Sequence, residues 1–458
     1  MPTTAARMKK FFGTDGIRGV ASVPPLDPET MVRLGKAIAR IFLGKGRKHR
    51  ILIGKDTRLS GYMLETALAS GITSMGADVL LVGPVPTPGV AYLTRSMRAD
   101  AGVVISASHN PYEDNGIKIF ASDGYKLPDE RELQIESLIE PEALDGQSAA
   151  PSEIGKATRI NDAIGRYTVF LKGCFPRELT LEGLKIGIDC ANGATYTVAP
   201  QTLGELGADV VSRGVSPNGR NINAGFGSLY PEIMRKLVLE YSLNVGVSFD
   251  GDGDRAVFSD EKGNLVDGDM VLAVCARDLL ARDALPGRKL VLTVMSNLGI
   301  VRHLENLGIE VIQAPVGDRY VLEEMLRSGA ALGGEQSGHT IFHNHTTTGD
   351  GILTALMLFA VMNRQGKLLS ELCADLVRYP QKLMSIDVAT KPPLDSLEPV
   401  VRIVEKIEKE LGSKGRVLVR YSGTESKVRV LVECENEDNC RRYAQEIADV
   451  IKGELGTL

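Results

Sequence analysis

The sequence predicts an α/β protein: three tandem βαβ-type α/β domains with mixed sheets around a central cleft, plus a C-terminal α+β domain. Three observations carry this expectation. The chain has 458 residues, more than one core can organise, and length alone suggests about three domains. One plan then recurs three times. Residues 51–83, ILIGKDTRLSGYMLETALASGITSMGADVLLVG, run from an apolar strand through a polar turn and a helical stretch to Gly-Ala-Asp-Val and a second strand. Residues 184–214 repeat it, with Ile-Gly-x-Asp and Gly-Ala-Asp-Val in the same slots, and residues 289–317 repeat it with Gly-Ile-Glu-Val. Strand–helix–strand is the pattern of a parallel crossover. After about residue 380 the plan stops. A strand MSIDVA, a helix through Ile403 to Leu411, strands RVLVR and KVRVLVE and a closing helix follow.

The elements read in order as follows. Asp27 caps a helix with Pro28 at its first position, apolar residues at Met31, Leu34, Ile38 and Ile41, and Gly44 beyond its end. Linkers fall near Pro141 to Ser152, Asp260 to Asn264 and Arg378 to Gln381. They divide the chain into domains at 1–152, 153–260, 261–375 and 376–458. Composition sets limits: 43% hydrophobic, 24% charged, net charge −5. Neither nucleic acid nor an anionic membrane is the expected partner, so positive charge for an anionic substrate must be local. Six scattered cysteines without a C-x-x-C pair suit a reducing cytosol and no zinc site. The N-terminus has no apolar stretch after its lysines, and no run is long enough to span a membrane. The expected location is cytoplasmic.

Four loops carry chemistry. GVVISASHNPYEDNGIKIF (102–120) sets a polar Ser-Ala-Ser-His-Asn-Pro loop between two apolar runs. It is neither a Gly-x-Ser-x-Gly elbow nor a P-loop. A backbone-bonded turn explains it as well as a functional serine does. In VGVSFDGDGDRAVFSD (245–260), Asp250, Asp252 and Asp254 alternate with glycine. Such carboxylates can converge on one hard cation. An EF-hand fits poorly, because Arg255 stands where that loop turns on glycine; a solvated acidic turn is the other reading. In RVLVRYSGTESKVRVLVE (416–433), Arg420, Ser422, Gly423, Thr424 and Arg429 have the composition of a phosphate cradle, or of a charged hairpin turn. In GGEQSGHTIF (333–342), Glu335, Ser337 and His339 alternate and would share one face of an extended segment. Two basic segments, FGTDGIRG with Thr14 and Arg18 and GKDTRLSG with Lys55 and Arg58, stand where ligands meet α/β sheets. One loop per domain implies a single central cleft.

With these motifs in their order, the chain resembles the α-D-phosphohexomutase superfamily over about residues 9 to 455, through FGTDGIRG, SASHNP, DGDGDR, GEQSGH and R-x-SGTE. The resemblance implies that Ser108, not Ser106, carries a phosphoryl group and joins Asp250, Asp252 and Asp254 around Mg²⁺. It implies catalytic roles for Arg18, Lys118 and His109. It implies substrate contacts from Thr14, Arg255, Glu335, Ser337, His339, Arg420, Ser422, Gly423, Thr424 and Arg429. Ser426 departs from the proline usual after SGTE. The implied reaction interconverts glucosamine 6-phosphate and glucosamine 1-phosphate through glucosamine 1,6-bisphosphate, supplying UDP-N-acetylglucosamine and cell-wall precursors. Gln336, where the hexose branches carry methionine, and TTTGDGI at 346–352 place it nearer the amino-sugar branch; phosphomannomutase or phosphoglucomutase activity is the alternative. A phosphomonoesterase would need water at the phosphoserine, and a non-catalytic binding protein would have lost Ser108 or an aspartate. Lys118 and His109 both stay open as the proton-transfer group. The implied partners are a phosphosugar, a second copy in a homodimer, and an activating kinase unless Ser108 is autophosphorylated.

Overall fold

A computed structural model of the chain describes residues 10–13, 15–44, 48–422 and 426–456. Within them the chain forms two compact units: Met1–Val294 with Glu310–Cys373, and Met295–Ile309 with Ala374–Leu458.

The first unit holds three sheets. The first has seven strands in the order Phe12–Gly13, Gly16–Val20, Asp114–Ala121, Ala101–Ile105, Arg50–Lys55, Asp78–Pro84 and Ala157–Arg159. Its centre is parallel, and the strands Gly16–Val20 and Asp114–Ala121 run antiparallel, so the sheet is mixed as expected. The second sheet orders Leu265–Val266, Ala256–Asp260, Val245–Phe249, Lys185–Asp189 and Asp209–Arg213. The third orders Glu310–Ala314, Lys289–Thr293, Leu332–Gly334 and Thr340–Phe342. All three predicted repeats form parallel strand pairs across their helices.

Local chemistry explains these elements. Asp27 accepts a hydrogen bond from the Thr30 N–H at 3.2 Å and starts the helix Pro28–Phe42, whose Met31, Leu34 and Ile38 are buried. This helix packs closely on Ser60–Ser74 because glycines meet backbone. A Cβ on Gly35 would sit 2.4 Å from the Leu68 oxygen, and one on Gly71 would sit 2.1 Å from the Val32 oxygen. The expected linker at Asp260 to Asn264 is instead a hairpin turn inside the second sheet. The Asp260 carboxylate accepts from the Lys262 and Asn264 N–H groups, and Gly263 takes φ +74°, which closes the turn.

The second unit contains the three-stranded antiparallel sheet Gln381–Asp387, Lys427–Cys434 and Gly415–Tyr421, covered by helices Glu398–Leu411 and Glu437–Leu455. That is the α+β module foreseen. It contains a disulfide between Cys434 and Cys440, which the scattered cysteine positions did not suggest. Among the described residues no helix is long and apolar enough to cross a membrane.

One buried contact ties two helices of the first unit. Asp350 caps the helix Gly351–Gln365 through the Leu353 N–H at 2.9 Å and accepts the Tyr167 hydroxyl at 2.6 Å. Burial pushes its carboxyl up to about 6. A folded-state value above the unfolded one means the folded state holds the proton more tightly, so this stability is complete at low pH and lost as pH rises through about 6. The unfolding free energy of the native chain should therefore fall by roughly 3 kcal/mol relative to Asp350→Asn between pH 4 and 7. Parallel pH–stability curves for the two proteins would remove this assignment.

Candidate active site

In the first unit, three of the predicted loops leave the carboxyl ends of their strands. Ser106 to Pro111 follow Ala101–Ile105, Asp250 follows Val245–Phe249, and Glu335 follows Leu332–Gly334. Open α/β sheets place ligands at these ends.

Asp250, Asp252 and Asp254 are buried, with ligand oxygens all within 4.8 Å of one another. Gly251 lets the loop reach the serine loop, since a Cβ there would lie 2.5 Å from the Ser108 carbonyl oxygen. Two carboxylate oxygens, Asp252 Oδ1 and Asp254 Oδ1, are buried without a hydrogen-bond partner. Buried carboxylate oxygens without hydrogen bonds are costly, and Asp254 Oδ1 has only the Arg255 Nε at 3.9 Å, so this donor set can take a further cation. Burial, with Asp254 and Asp252 beside it, drives the Asp250 carboxyl well above its usual range. Burial opposes ionisation of Asp254 too, but Lys118, His339 and Arg255 outweigh it and hold that carboxyl well below its usual range. Oxygen ligands of this charge and spacing fit Mg²⁺.

Ser108 is buried against this triad. Its Oγ donates to Asp250 Oδ2 at 2.5 Å and lies 3.2 Å from His109 Nδ1. Its backbone sits at φ +52°, an uncommon conformation for a residue with a Cβ. A network holds it there. Ser106 Oγ accepts the Ser108 N–H at 2.9 Å and donates to Asp56 Oδ2 at 2.5 Å. Asp56 is ion-paired to Arg58, and Arg58 donates to the Ser108 oxygen at 3.2 Å and the Asn110 oxygen at 2.6 Å. Asn223 Nδ2 donates to the same two carbonyls at 2.9 Å each. Strain of this kind persists where surroundings over-determine it.

The cations form a second group. Lys118 Nζ lies 3.1 Å from Asp252, 3.2 Å from Asp15 and 3.5 Å from Asp254. Burial alone would lower its pKa, but these three carboxylates raise it well above the ordinary value. Lys118 is an ammonium at any working pH. Arg18 pairs with Asp15 at 2.5 Å and donates to the Ala107 oxygen at 3.2 Å. His109 behaves oppositely: burial, with Arg255 and Arg18 nearby, lowers its imidazole to about 4. The Arg255 N–H donates to Asp250 Oδ1 at 3.2 Å.

The third loop departs from expectation. Glu335, Ser337 and His339 lie in a tight turn, not an extended segment, because the Glu335 N–H donates to the His339 oxygen at 2.9 Å and Gly338 takes φ +94°. Glu335 and His339 are buried and Ser337 is exposed, so the three do not share a face. Glu335 Oε1 accepts the Gly317 N–H at 2.9 Å. His339 Nε2 accepts the Gly349 N–H at 3.0 Å while Nδ1 faces Asp254 at 3.7 Å. Gln336 donates to Asp267 at 3.4 Å.

The fourth loop belongs to the second unit. Arg420 and Arg429 stand directly opposite each other on paired antiparallel strands. Burial, with Arg429 beside it, lowers the Arg420 pKa. Like charges in that relation repel, and a phosphate between their forks would relieve the repulsion. Ser422 is buried, and its carbonyl accepts Lys391 Nζ at 3.1 Å. Thr14, Gly423 and Thr424 lie outside the described residues.

Asp15 was missed although it stands inside the FGTDGIRG motif. Asp56, Asn223, Lys126 and Asp318 were missed as well. Lys126 pairs with Asp15 at 2.6 Å and with Asp318; nothing in the spacing of VGDRY marks Asp318.

Comparison with known proteins covers nearly the whole chain. Family models for phosphoglucomutase/phosphomannomutase match in four parts: α/β/α domain I at residues 9–145, domain II at 166–263, domain III at 267–379 and the C-terminal domain at 380–450. The phosphoglucosamine mutases of Geobacter metallireducens and Syntrophotalea carbinolica are 54% and 56% identical over 449 residues, 98% of this chain and 100% and 98% of theirs. Among solved structures, a phosphoglucomutase/phosphomannomutase family protein from Burkholderia thailandensis shares the fold at a TM-score of 0.78 with 22% identity, covering 96% of this chain and 97% of that one. N-acetylphosphoglucosamine mutase from Aspergillus fumigatus, in complex with GlcNAc-6P and magnesium, does so at 0.67 with 18% identity, covering 97% and 96%.

The triad makes a direct demand on metal binding. Mg²⁺ should raise the melting temperature of the native chain, since a ligand at about 100 times its dissociation constant stabilises by about 2.7 kcal/mol. Asp252→Asn should need at least about tenfold more Mg²⁺ for the same shift, having lost one of three carboxylates. Equal Mg²⁺ dependence in both proteins would mean that the triad is not the site.

Proposed function

Because this chain belongs to the phosphoglucomutase/phosphomannomutase family, we propose that it is a phosphohexose mutase acting on glucosamine phosphate, with Ser108 as the residue that lends and recovers a phosphoryl group. One observation carries the reading: the Ser108 hydroxyl, held at positive φ, points into three buried carboxylates and beside a buried ammonium.

The residues support a definite sequence of events. With a phosphoryl group on Ser108 Oγ, the substrate hydroxyl at C1 of glucosamine 6-phosphate attacks phosphorus. The bond from phosphorus to serine oxygen breaks as the bond to the sugar oxygen forms, and the hydroxyl proton leaves. Three carboxylates favour the ammonium form of Lys118, which suits it to balancing charge on the transferring oxygens rather than to taking that proton. His109, a neutral imidazole 3.2 Å from Ser108 Oγ, is the group that can accept it. A Mg²⁺ ion held by Asp250, Asp252, Asp254 and the Ser108 phosphoryl oxygen would neutralise developing negative charge on phosphorus. Glucosamine 1,6-bisphosphate then turns end over end, and its phosphoryl at C6 returns to Ser108, leaving glucosamine 1-phosphate. Arg18 fixes the serine loop through the Ala107 carbonyl. Arg255, Glu335 and His339 are proposed to face the sugar, and Arg420, Ser422 and Arg429 to serve as a receptor for a substrate phosphate.

The amino-sugar preference rests on the relatives named phosphoglucosamine mutase and on Glu335, whose Oε1 is engaged while no partner of Oε2 is found among the described residues. A carboxylate that meets a 2-ammonium group forms a charge-assisted pair, whereas a 2-hydroxyl offers it only a neutral donor, and that difference discriminates between the sugars.

Intact-mass analysis and peptide mapping of active enzyme should place one phosphate on Ser108, and Ser108→Ala should lose turnover by several orders of magnitude with its fold retained. A phosphate on Ser106, or full activity in Ser108→Ala, would sink the assignment. With a bisphosphate primer, kcat/KM for glucosamine 1-phosphate should exceed that for glucose 1-phosphate by well over about tenfold; equal or reversed values would make the enzyme a general phosphohexose mutase.

A further inference from the structure

The first unit has a polar cavity of about 350 Å³ that contains none of the aspartates or serines described above. One wall is Arg95, on the last turn of the helix Thr87–Ser96. A second is the turn after the strand Asp114–Ala121, with Asp123 and Tyr125. The third is the loop that carries His343 and His345. Three elements distant in sequence therefore aim polar side chains into one space.

We propose that this cavity is a second anion site, built for the phosphate group of a small phosphate ester that carries hydroxyls.

The donor inventory supports an anion. The fixed charges are one guanidinium and one carboxylate, and the two imidazoles, the amide and the hydroxyls around them supply further donors. Among the described residues Arg95 has no ion pair and the His345 ring has no hydrogen-bond partner, so both are uncommitted donors. Tyr125 and His343 are committed to each other, with the hydroxyl 2.8 Å from Nε2; the pair presents one edge to the cavity as a fixed unit. Asn344 and Ser122 add an amide and a hydroxyl. Burial lowers the His345 imidazole with no charged partner to oppose it, and an arriving phosphate would reverse that by favouring the charged ring. A divalent cation would meet the Arg95 charge instead.

The single acid restricts the ligand further. Asp123 spends one oxygen on the Tyr125 N–H at 3.1 Å. Its other oxygen can accept a ligand hydroxyl, and it opposes a bare polyanion. Cavities that hold small molecules run from about 300 to 1,000 Å³, so this one suits a small ester.

The cavity walls also continue into the active site. Tyr125 precedes Lys126, which pairs with Asp15 and Asp318. The histidine loop runs on to Gly349, whose N–H fixes His339. Thr347 Oγ1 donates to the Gly124 oxygen at 2.5 Å and latches the two walls together.

The chain has six histidines, few enough to follow singly by ring-carbon NMR on the full chain, with His343→Gln and His345→Gln as assignments. Millimolar inorganic phosphate and glycerol 2-phosphate should each shift the His343 and His345 resonances saturably and move the His345 titration midpoint upward, with the ester binding at least as tightly as the free ion. Arg95→Gln should weaken that response at least about tenfold, with turnover in phosphate-free buffer and melting temperature unchanged. Shifts confined to His109 and His339 would show that phosphate reads only the active site and would overturn the proposal. So would a response undiminished in Arg95→Gln. A response to inorganic phosphate alone would overturn the ester specificity assigned to Asp123.

Discussion

The first unit depends on how three buried carboxylates are neutralised. Asp250, Asp252 and Asp254 crowd within 4.8 Å, and unpaired ions at such burial cost several kcal/mol each. The chain supplies part of the compensation. Lys118 lies against two of them, the Arg255 backbone N–H donates to Asp250, and the Arg255 guanidinium lies 3.9 Å from Asp254. What is left over is two buried carboxylate oxygens without hydrogen-bond partners, a donor set suited to a divalent cation. The Ser108 hydroxyl is set at the edge of this group, where it donates to Asp250 Oδ2 at 2.5 Å.

A second layer sets where that serine points. Ser108 takes a backbone conformation that a residue with a Cβ adopts reluctantly. Asp56, Arg58, Ser106 and Asn223 converge on its N–H and carbonyl, and all four are buried. Three elements far apart in the chain therefore specify one hydroxyl position. Rigid placement of this kind is what phosphoryl transfer requires, because its catalysis is mostly positioning and charge balance.

The cationic groups divide by protonation state, and environment decides the division. Lys118 and His109 share the site, yet three carboxylates keep the lysine charged while burial beside two arginines keeps the imidazole neutral. One can balance charge and the other can accept a proton. Their order along the chain carries no hint of this.

Much of this protein was legible in its sequence. The three βαβ repeats, the α+β module, the Asp27 cap and the aspartate triad follow from local periodicity, turn chemistry and spacing, which act over a few residues and need no tertiary information. The resemblance set Ser108 ahead of Ser106, and of the two hydroxyls it is that of Ser108 which donates to Asp250, while that of Ser106 donates to Asp56. Other features were decided only by the folded chain. Glu335, Ser337 and His339 alternate in sequence, but a turn closed by Gly338 sends Ser337 to the surface. The Asp260 to Asn264 stretch has the composition of a linker and is a hairpin, since a strand partner, not composition, makes that distinction. Asp15, Lys126 and Asp318 form one ion-pair chain from three distant segments. Pairing of this kind depends on through-space distance and burial, which a linear sequence does not contain, and so do the opposite protonation states of Lys118 and His109.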